Sequence, residues 1–369
     1  MTVKNPSIHA LNELGQSVWY DNLSRELLDS GELAELVNAG VSGLTSNPTI
    51  FKRAIADSNY YDAAIAELAA ENPSADYICD AIMMRDVGAA ADLLRPVYDS
   101  SKGSDGYASI EVSPLIARDT QSTVDAARRL WSSLDRPNIM VKVPGTDEGL
   151  PAVQQLLAEG INVNITLLFS VEYYEKVVDA YLAGLESRMT AGKDLSCVAS
   201  VASFFVSRVD AICEKGIAAR ADADQLFARY KGKVGIANSK VAYELFEQKF
   251  RSERFAALAA KGARIQRPLW ASTGVKNPEY PETLYVEQLA GRDTINTVPP
   301  KTLAALMDGV SVAPHLHSDL AESVTLLDQL RAAGVAFDQL LTELQAAGVE
   351  SFSSSYRELI QSIENKARG

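Results

Sequence analysis

The run Ile161-Asn162-Val163-Asn164-Ile165-Thr166-Leu167 decides the fold of this chain. Its polar and apolar side chains alternate, and a period of two is the pattern of a β-strand with two different faces. Asn162, Asn164 and Thr166 lie on one face, and the apolar residues form the other. Residues 170–185 follow the run and have the spacing of an amphipathic helix. The local pattern is therefore a strand followed by a helix.

The same unit recurs along the chain. Short β-rich runs occupy eight places, and a helix-sized segment follows each of them. We predict strands at residues 17–23, 41–47, 108–113, 138–143, 161–168, 197–203, 268–273 and 294–298. Eight successive strand–helix units predict an α/β protein with a (β/α)8 TIM barrel fold.

We predict that residues 1–369 form a single barrel domain with additional helices. The segments after the second and sixth runs are longer than one crossover needs, which predicts helical insertions at about 50–107 and 204–266. Beyond the last run we expect C-terminal helices at about 318–366, with separate helices at 319–330, 337–345 and 353–366. Glycine-containing turns at 333–335 and 346–349 would separate them.

Polar residues inside these strands need an explanation. In a barrel of this kind one strand face meets the helices and the other meets the interior, so both should be apolar. Yet Glu111 alternates with apolar neighbours, Lys142 shares its face with Met140, and Asp21 shares its face with Trp19. Most of these polar residues lie toward the C-terminal ends of their strands. Barrel active sites are built at that end.

Each of these residues also has a structural explanation. Lys142 could pair with Glu111 or Asp21 to neutralise a buried acid. Asn and Thr at strand ends commonly cap the next helix, and Asp21 could cap a helix beginning near Ser24. Taken together, however, these residues indicate a functional site. They direct one amine, two carboxylates, several amides and several hydroxyls at one mouth.

The set has a specific chemical meaning. A lysine amine attacks a ketone only when it is neutral, and burial in an apolar barrel favours the neutral form. The iminium that forms draws electrons from the adjacent carbon–carbon bond, while a carboxylate removes a hydroxyl proton. This chemistry needs no cofactor and no metal. We interpret His9, His315 and His317 as surface or packing residues and not as metal ligands.

Composition limits the partners. A net charge of -13 and a pI near 4.8 argue against a nucleic-acid partner, because phosphate backbones need a basic surface. Three scattered cysteines indicate a reducing, cytoplasmic location. The first twenty residues carry polar and acidic positions where a signal peptide needs an apolar core, so we expect no signal peptide. No run of about 18 apolar residues is present, so we expect no membrane span. A monomer and a homodimer are both compatible with the sequence.

Four motifs resemble the signatures of the transaldolase family, in the order found in that family. They are Ser46-Asn47-Pro48-Thr49-Ile50-Phe51, Val141-Lys142-Val143-Pro144-Gly145-Thr146, Asn164-Ile165-Thr166-Leu167-Leu168-Phe169-Ser170 and Ser203-Phe204-Phe205-Val206-Ser207-Arg208. The resemblance extends from Asp21 to about Asn277. It implies a class I enzyme that moves a dihydroxyacetone unit from sedoheptulose 7-phosphate or fructose 6-phosphate to glyceraldehyde 3-phosphate or erythrose 4-phosphate.

The resemblance also implies roles for individual residues. Lys142 would form the Schiff base, and Asp21 would be the acid and base at the bond that breaks. Glu111, through a water held with Thr166, would assist dehydration of the carbinolamine. The residues implied to bind the sugar phosphate are Asn47, Asn164, Ser203, Phe205, Arg208 and Ser272. Better-known members carry a second phosphate-binding arginine shortly after the serine of strand seven, where this chain offers Lys276 as the candidate.

Two other functions stay open at this point. A fructose 6-phosphate aldolase shares the barrel but releases free dihydroxyacetone, and by resemblance it carries tyrosine and glutamine at the positions of Phe205 and Glu111. Both residues of this chain favour the transferase. A barrel that only binds a sugar phosphate would form no lysine adduct, and the complete set of one lysine and two carboxylates argues against it.

Overall fold

The computed structural model describes residues 4–368. Within this range eight parallel strands close into a barrel in sequence order, and the first strand pairs with the last. The strands are β1 (Gln16–Tyr20), β2 (Gly43–Thr45), β3 (Ala108–Glu111), β4 (Ile139–Pro144), β5 (Val163–Leu168), β6 (Ser200–Phe205), β7 (Arg267–Ala271) and β8 (Thr294–Val298). The prediction of a (β/α)8 barrel is confirmed.

Alternation within the strands separates two apolar layers. In β4, Val141 and Val143 belong to the buried cluster that also contains the helix residues Leu130 and Leu156. Met140 belongs to a second cluster, together with residues from the inner faces of other strands. Because consecutive strand side chains point to opposite faces, the next inward position after Met140 is that of Lys142. The strand pattern thus directs a lysine into the barrel.

The helices occupy the connections. They are α1 (Pro6–Glu13), α2 (Arg25–Asp29), α3 (Glu32–Ala39), α4 (Pro48–Ala56), α5 (Asp62–Glu71), α6 (Ala75–Ser100), α7 (Thr120–Leu134), α8 (Gly149–Glu159), α9 (Val171–Thr190), α10 (Ser207–Ala218), α11 (Ala223–Tyr230), α12 (Val234–Phe250), α13 (Glu253–Ala259), α14 (Leu284–Gln288), α15 (Pro300–Asp308), α16 (Leu320–Ala332) and α17 (Phe337–Arg368). Three of them, α4 to α6, lie between β2 and β3, and four, α10 to α13, lie between β6 and β7. No helix of the described chain is long and apolar enough to cross a membrane.

The C-terminal segment differs from the prediction. A turn was expected at 346–349, but α17 is one continuous helix through Gly348. A side-chain carbon on Gly348 would lie 3.0 Å from Leu167 Cδ2, so the glycine permits close packing against the barrel. This contact offsets the helix cost of glycine, about 1 kcal/mol relative to alanine. The turn expected at 333–335 is present, with Gly334 in the left-handed region.

The last helix packs across the C-terminal ends of the strands. It contacts α4, α5, α6, α10 and β5. Gln345 Nε2 donates to the carbonyl of Gly145, and Thr49 Oγ1 on α4 donates to Ser355 Oγ. These contacts place α17 beside the mouth of the barrel. That residues 1–369 form a single domain stays a prediction.

Candidate active site

A cavity of about 460 Å³ opens at the C-terminal end of the barrel. The candidate residues that line it are Asp21, Asn47, Lys142, Thr166, Ser203, Phe205, Arg208, Ser272 and Lys276. The other two lie one contact deeper: Glu111 pairs with the cavity residue Lys142, and Asn164 is bonded to the cavity residue Ser203. The structure thus brings all 11 candidates to one mouth.

Lys142 occupies the centre of the floor. The parallel register places it beside Glu111 on β3 and beside Asn164 on β5. Its Nζ lies 3.1 Å from Glu111 Oε2 and donates to the carbonyl of Ser46 at 3.0 Å, while only 6% of the side chain is exposed. A structural role explains the ion pair. It does not explain why the lysine reaches a cavity lined by other cations and hydroxyls.

Two carboxyl groups lie close to the amine. Burial raises the pKa of both Asp21 and Glu111, and the positive charge of Lys142 opposes that rise. Asp21 is half-buried and accepts a hydrogen bond of 2.7 Å from Thr45 Oγ1. Glu111 Oε1 and Thr166 Oγ1 are buried, and neither has a hydrogen-bond partner among the described residues. Both carboxyls are therefore suited to hold or release a proton near the lysine.

Helix capping, the structural role considered for Asp21 and for Asn at strand ends, is observed for Asn47 but not for Asp21. Ser24 caps α2 by accepting a hydrogen bond from the Leu27 amide, so Asp21 is not needed as its cap. Asn47 does cap α4, because its Oδ1 accepts from the Ile50 amide at 3.0 Å. The cap uses the oxygen of Asn47 and fixes its side chain at the cavity wall, so capping and substrate binding are compatible.

Hydrogen bonds connect the polar residues inside the barrel. Asn164 Nδ2 donates to Ser109 Oγ at 3.1 Å, and Ser203 Oγ donates to Asn164 Oδ1 at 2.7 Å. Asn162 also points between strands, but it bonds to the carbonyls of Pro137 and Ile139 near their N-terminal ends. Asn162 therefore has a structural role: it holds neighbouring strands together and does not belong to the site at the mouth.

The rim carries two cations, the half-buried Arg208 and the exposed Lys276. Arg208 lies in the first turn of α10 and Lys276 follows β7, and neither has a carboxylate within 4.0 Å among residues 4–368. Partial desolvation by the surrounding protein lowers the pKa of Arg208, and partial desolvation together with the charge of Arg208 lowers the pKa of Lys276. Cations held this way in a protein of charge -13 are suited to bind an anionic ligand.

Ser272 has an unusual backbone at this rim. Its φ is 54°, in the left-handed region that a residue with a side chain rarely adopts. Its carbonyl accepts from the Ser207 amide, and the two hydroxyls lie 3.0 Å apart. Backbone strain of this kind, costing about 1 to 3 kcal/mol, is concentrated at functional sites. Here it directs the Ser272 side chain toward the cavity beside Arg208.

Several lining residues were not predicted. Thr45 shares a strand face with Asn47, and Thr297 shares one with Ile295, so the alternation that identified the other residues could have found both. Arg53 lies one turn after Thr49 on α4, at helical spacing. Phe352 on α17 has no local signal, because only the fold brings it to the mouth.

The described residues, from 4 to 368, contain no group of three or more His, Cys, Asp and Glu side chains that could hold a metal ion. His317 packs edge-on against the Tyr243 ring and lies 3.5 Å from Glu247 Oε2. This packing agrees with the interpretation of His317 as a structural residue.

Comparison with known proteins supports the motif resemblance. A family model described as Transaldolase/Fructose-6-phosphate aldolase matches residues 18–363. The Transaldolase of Thiobacillus denitrificans is 48% identical over 354 residues, which cover 96% of this chain and 98% of the relative. The Transaldolase of Saccharopolyspora erythraea is 46% identical over 364 residues, 98% of each chain, and Transaldolase 2 of Nostoc punctiforme is 46% identical over 369 residues, 97% of each. By these matches the chain belongs to the transaldolase/fructose-6-phosphate aldolase family.

Proposed function

We propose that the site catalyses the transaldolase reaction. It would transfer a three-carbon dihydroxyacetone unit from sedoheptulose 7-phosphate or fructose 6-phosphate to glyceraldehyde 3-phosphate or erythrose 4-phosphate. The observation that carries the proposal is a single buried amine, Lys142, in a cavity with two carboxyl groups beside it and two cations at the rim. The names of the relatives support the same reaction.

The first step is addition of Lys142 to the ketone of the donor. The amine must be neutral, and Glu111 can accept its proton because the two groups are 3.1 Å apart and burial favours the protonated carboxyl. Addition gives a carbinolamine, which loses water to form the iminium. Glu111 Oε1 and Thr166 Oγ1 have unused hydrogen-bonding capacity in the protein, which supports a role for both in moving that water.

Asp21 would act in the second step. As the carbon–carbon bond breaks, its electrons pass into the iminium and leave an enamine on Lys142. The hydroxyl proton of the departing aldose is taken by Asp21. When the second aldose arrives, the enamine carbon attacks its aldehyde, and Asp21 returns the proton to the new alkoxide. Water then hydrolyses the iminium, so the water lost at the start is regained.

The remaining residues would hold the two ends of the sugar. Arg208, Ser272 and Lys276 offer charge and a hydroxyl to the phosphate. At the floor, Asn47, Asn164 and Ser203 offer amide and hydroxyl groups to the dihydroxyacetone end. A phosphate held at the rim keeps the carbonyl over Lys142, and such positioning lowers the barrier by restricting motion.

Phe205 favours transfer over release. Transfer requires the enamine to persist until a second aldose arrives, so the pocket should not donate a proton to the enamine carbon. Phe205 presents an apolar ring, 5.1 Å from Phe169 between centroids, where tyrosine would bring a hydroxyl. Together with Glu111 it distinguishes this chain from the fructose 6-phosphate aldolase alternative.

The proposal is tested by incubating the protein with fructose 6-phosphate and erythrose 4-phosphate. Formation of sedoheptulose 7-phosphate and glyceraldehyde 3-phosphate in equal amounts is expected. Free dihydroxyacetone as the main product would favour the aldolase, and no turnover with any ketose phosphate would favour a binding protein. A cytoplasmic location and a monomeric or dimeric state stay predictions.

A further inference from the structure

Arg208 is held in an unusual way. Its guanidinium carbon lies 5.3 Å from the ring centroid of Phe205 and 5.8 Å from that of Phe352. Among the described residues it makes no ion pair and donates no hydrogen bond to the protein. Fixing an arginine side chain costs conformational entropy. The two rings are therefore the contacts that restrict this guanidinium.

Phe205 and Phe352 reach the arginine from different parts of the chain. Phe205 ends β6, three residues before Arg208, and is a fixed part of the barrel. Phe352 lies in the middle of α17 and is 4% exposed. It also lines the cavity. The C-terminal helix thus supplies a buried aromatic wall to a site whose other residues come from the strands, their loops and the earlier helices.

The position of Phe352 is itself well fixed. Side-chain hydrogen bonds tie α17 to the loops after β3 and β4 and to the helices α4 and α6. They join Gln345 to the carbonyl of Gly145 at 2.8 Å, Ser353 to the carbonyl of Pro114 at 3.4 Å, Thr49 to Ser355 at 2.9 Å, and Tyr356 to Asp76 at 3.0 Å. The ring therefore has little freedom to move away from Arg208.

We propose that Phe352 is a positioning residue for the phosphate site: it holds the Arg208 guanidinium, together with Phe205, in the orientation that receives the phosphate of the sugar. The inference rests on the proposed function and adds the C-terminal helix to it. An aromatic face is required, because a dehydrated cation is attracted to the negative face of a ring and not to an aliphatic side chain. The N–H groups of the guanidinium stay available to the ligand, since among the described residues Arg208 donates no hydrogen bond to the protein.

The main test compares Phe352→Leu and Phe352→Tyr. Leucine keeps an apolar side chain but removes the ring, so the KM for fructose 6-phosphate should rise about fivefold to thirtyfold. The kcat should stay within about twofold, and the KM for unphosphorylated fructose should not change. Tyrosine keeps the ring face and should restore the KM for fructose 6-phosphate. Losses of equal size on both donors would overturn the proposal, as would failure of tyrosine to restore binding.

Phe337→Leu is the matched control. Phe337 is a buried phenylalanine on the same helix, and its ring lies 5.2 Å from the Arg331 guanidinium, but it does not line the cavity. Its substitution should leave both KM values unchanged. If Phe337→Leu raises the KM for fructose 6-phosphate as much as Phe352→Leu does, the effect comes from general loosening of α17 and the proposal is wrong. Phe352→Met, whose unbranched side chain adapts better to an irregular space, replaces Phe352→Leu if the leucine variant does not fold.

A second measurement does not depend on turnover. Titration calorimetry with inorganic phosphate should show weaker binding in Phe352→Leu than in the wild type. In an Arg208→Ala background the additional change Phe352→Leu should have no further effect, because the residue acts through Arg208. Additive effects of the two changes would overturn the proposal. A wild type that binds phosphate in this way but transfers no dihydroxyacetone would refute the proposed function and leave the positioning role standing.

Discussion

Replacing Asp210 by asparagine should make the protein more stable, and the gain should grow with pH. Asp210 lies on α10, two residues after Arg208, and is 2% exposed. Its carboxylate accepts hydrogen bonds from the Gly235 amide at 2.9 Å and from the Tyr285 hydroxyl at 2.8 Å. Burial still raises the pKa of Asp210 from 3.8 to about 6. The two hydrogen bonds therefore do not fully offset the cost of burying the charge.

The sign and size of the stability change in Asp210→Asn follow from the rise in the pKa of Asp210. The folded protein binds the Asp210 proton more tightly than the unfolded chain does. The contribution of Asp210 to the free energy of unfolding is therefore greatest at low pH and is lost as pH rises through about 4 to 6. A rise from 3.8 to about 6 corresponds to about 3 kcal/mol at pH 8 and about 1.6 kcal/mol at pH 5. Asparagine does not ionise, so the variant does not lose stability in this way. Replacing the carboxyl by an amide otherwise changes the stability only by an amount that does not vary with pH.

The assay is urea unfolding of the wild type and Asp210→Asn at pH 5, 6, 7 and 8. The stability difference should increase by about 1.4 kcal/mol between pH 5 and 8. Asp119→Asn is the control, because Asp119 is an exposed helix cap whose pKa is lowered by the Ser122 amide. Its variant should be less stable than the wild type by an amount that stays constant from pH 5 to 8, because a carboxyl with a lowered pKa is already ionised there in both the folded and the unfolded state. A difference for Asp210→Asn that stays constant with pH would refute the reasoning.

Three further predictions concern catalysis. Arg208→Ala should raise the KM for fructose 6-phosphate about tenfold to 150-fold, since a charge-assisted contact contributes about 1.5 to 3 kcal/mol; equal losses with unphosphorylated fructose would make Arg208 structural. Partial desolvation and the charge of Arg208 lower the pKa of Lys276 below its ordinary value of 10.5. The wild-type KM should therefore rise toward alkaline pH, while the KM of Lys276→Arg should stay flat; parallel profiles from pH 7 to 10 would contradict this. Phe205→Tyr should increase the ratio of free dihydroxyacetone to transferred product, measured with and without erythrose 4-phosphate, and an unchanged ratio would remove Phe205 from the account.

The barrel could be predicted from the sequence because each of its strands carries a local signal. The run at 161–168 corresponds to β5, and each of the other seven runs likewise overlaps an observed strand. The same alternation, together with the motifs, predicted that the candidate residues lie at one mouth of the barrel. The alternation could not predict how far each side chain lies from the cavity. Like Lys142, Glu111 and Asn164 face the barrel interior, but only the packing shows that they lie below the cavity surface.

The errors arise where long-range contacts override local signals. Gly348 indicates a turn by its own preference, yet the helix continues because the missing side chain allows contact with Leu167. Phe352 lies about 140 residues beyond Arg208 in a helix with no catalytic motif. Its approach to the guanidinium depends on how α17 crosses the barrel, which no spacing within the sequence encodes.

The central claim is that Lys142 forms the covalent intermediate. Incubation with fructose 6-phosphate, reduction with borohydride and mass mapping of peptides test it directly, because reduction makes the iminium permanent. One dihydroxyacetone-derived adduct is expected on Lys142 and none in Lys142→Arg. That variant should fold but not turn over, because a guanidinium cannot form the iminium. An adduct on a different lysine, or undiminished transfer by Lys142→Arg, would contradict the claim.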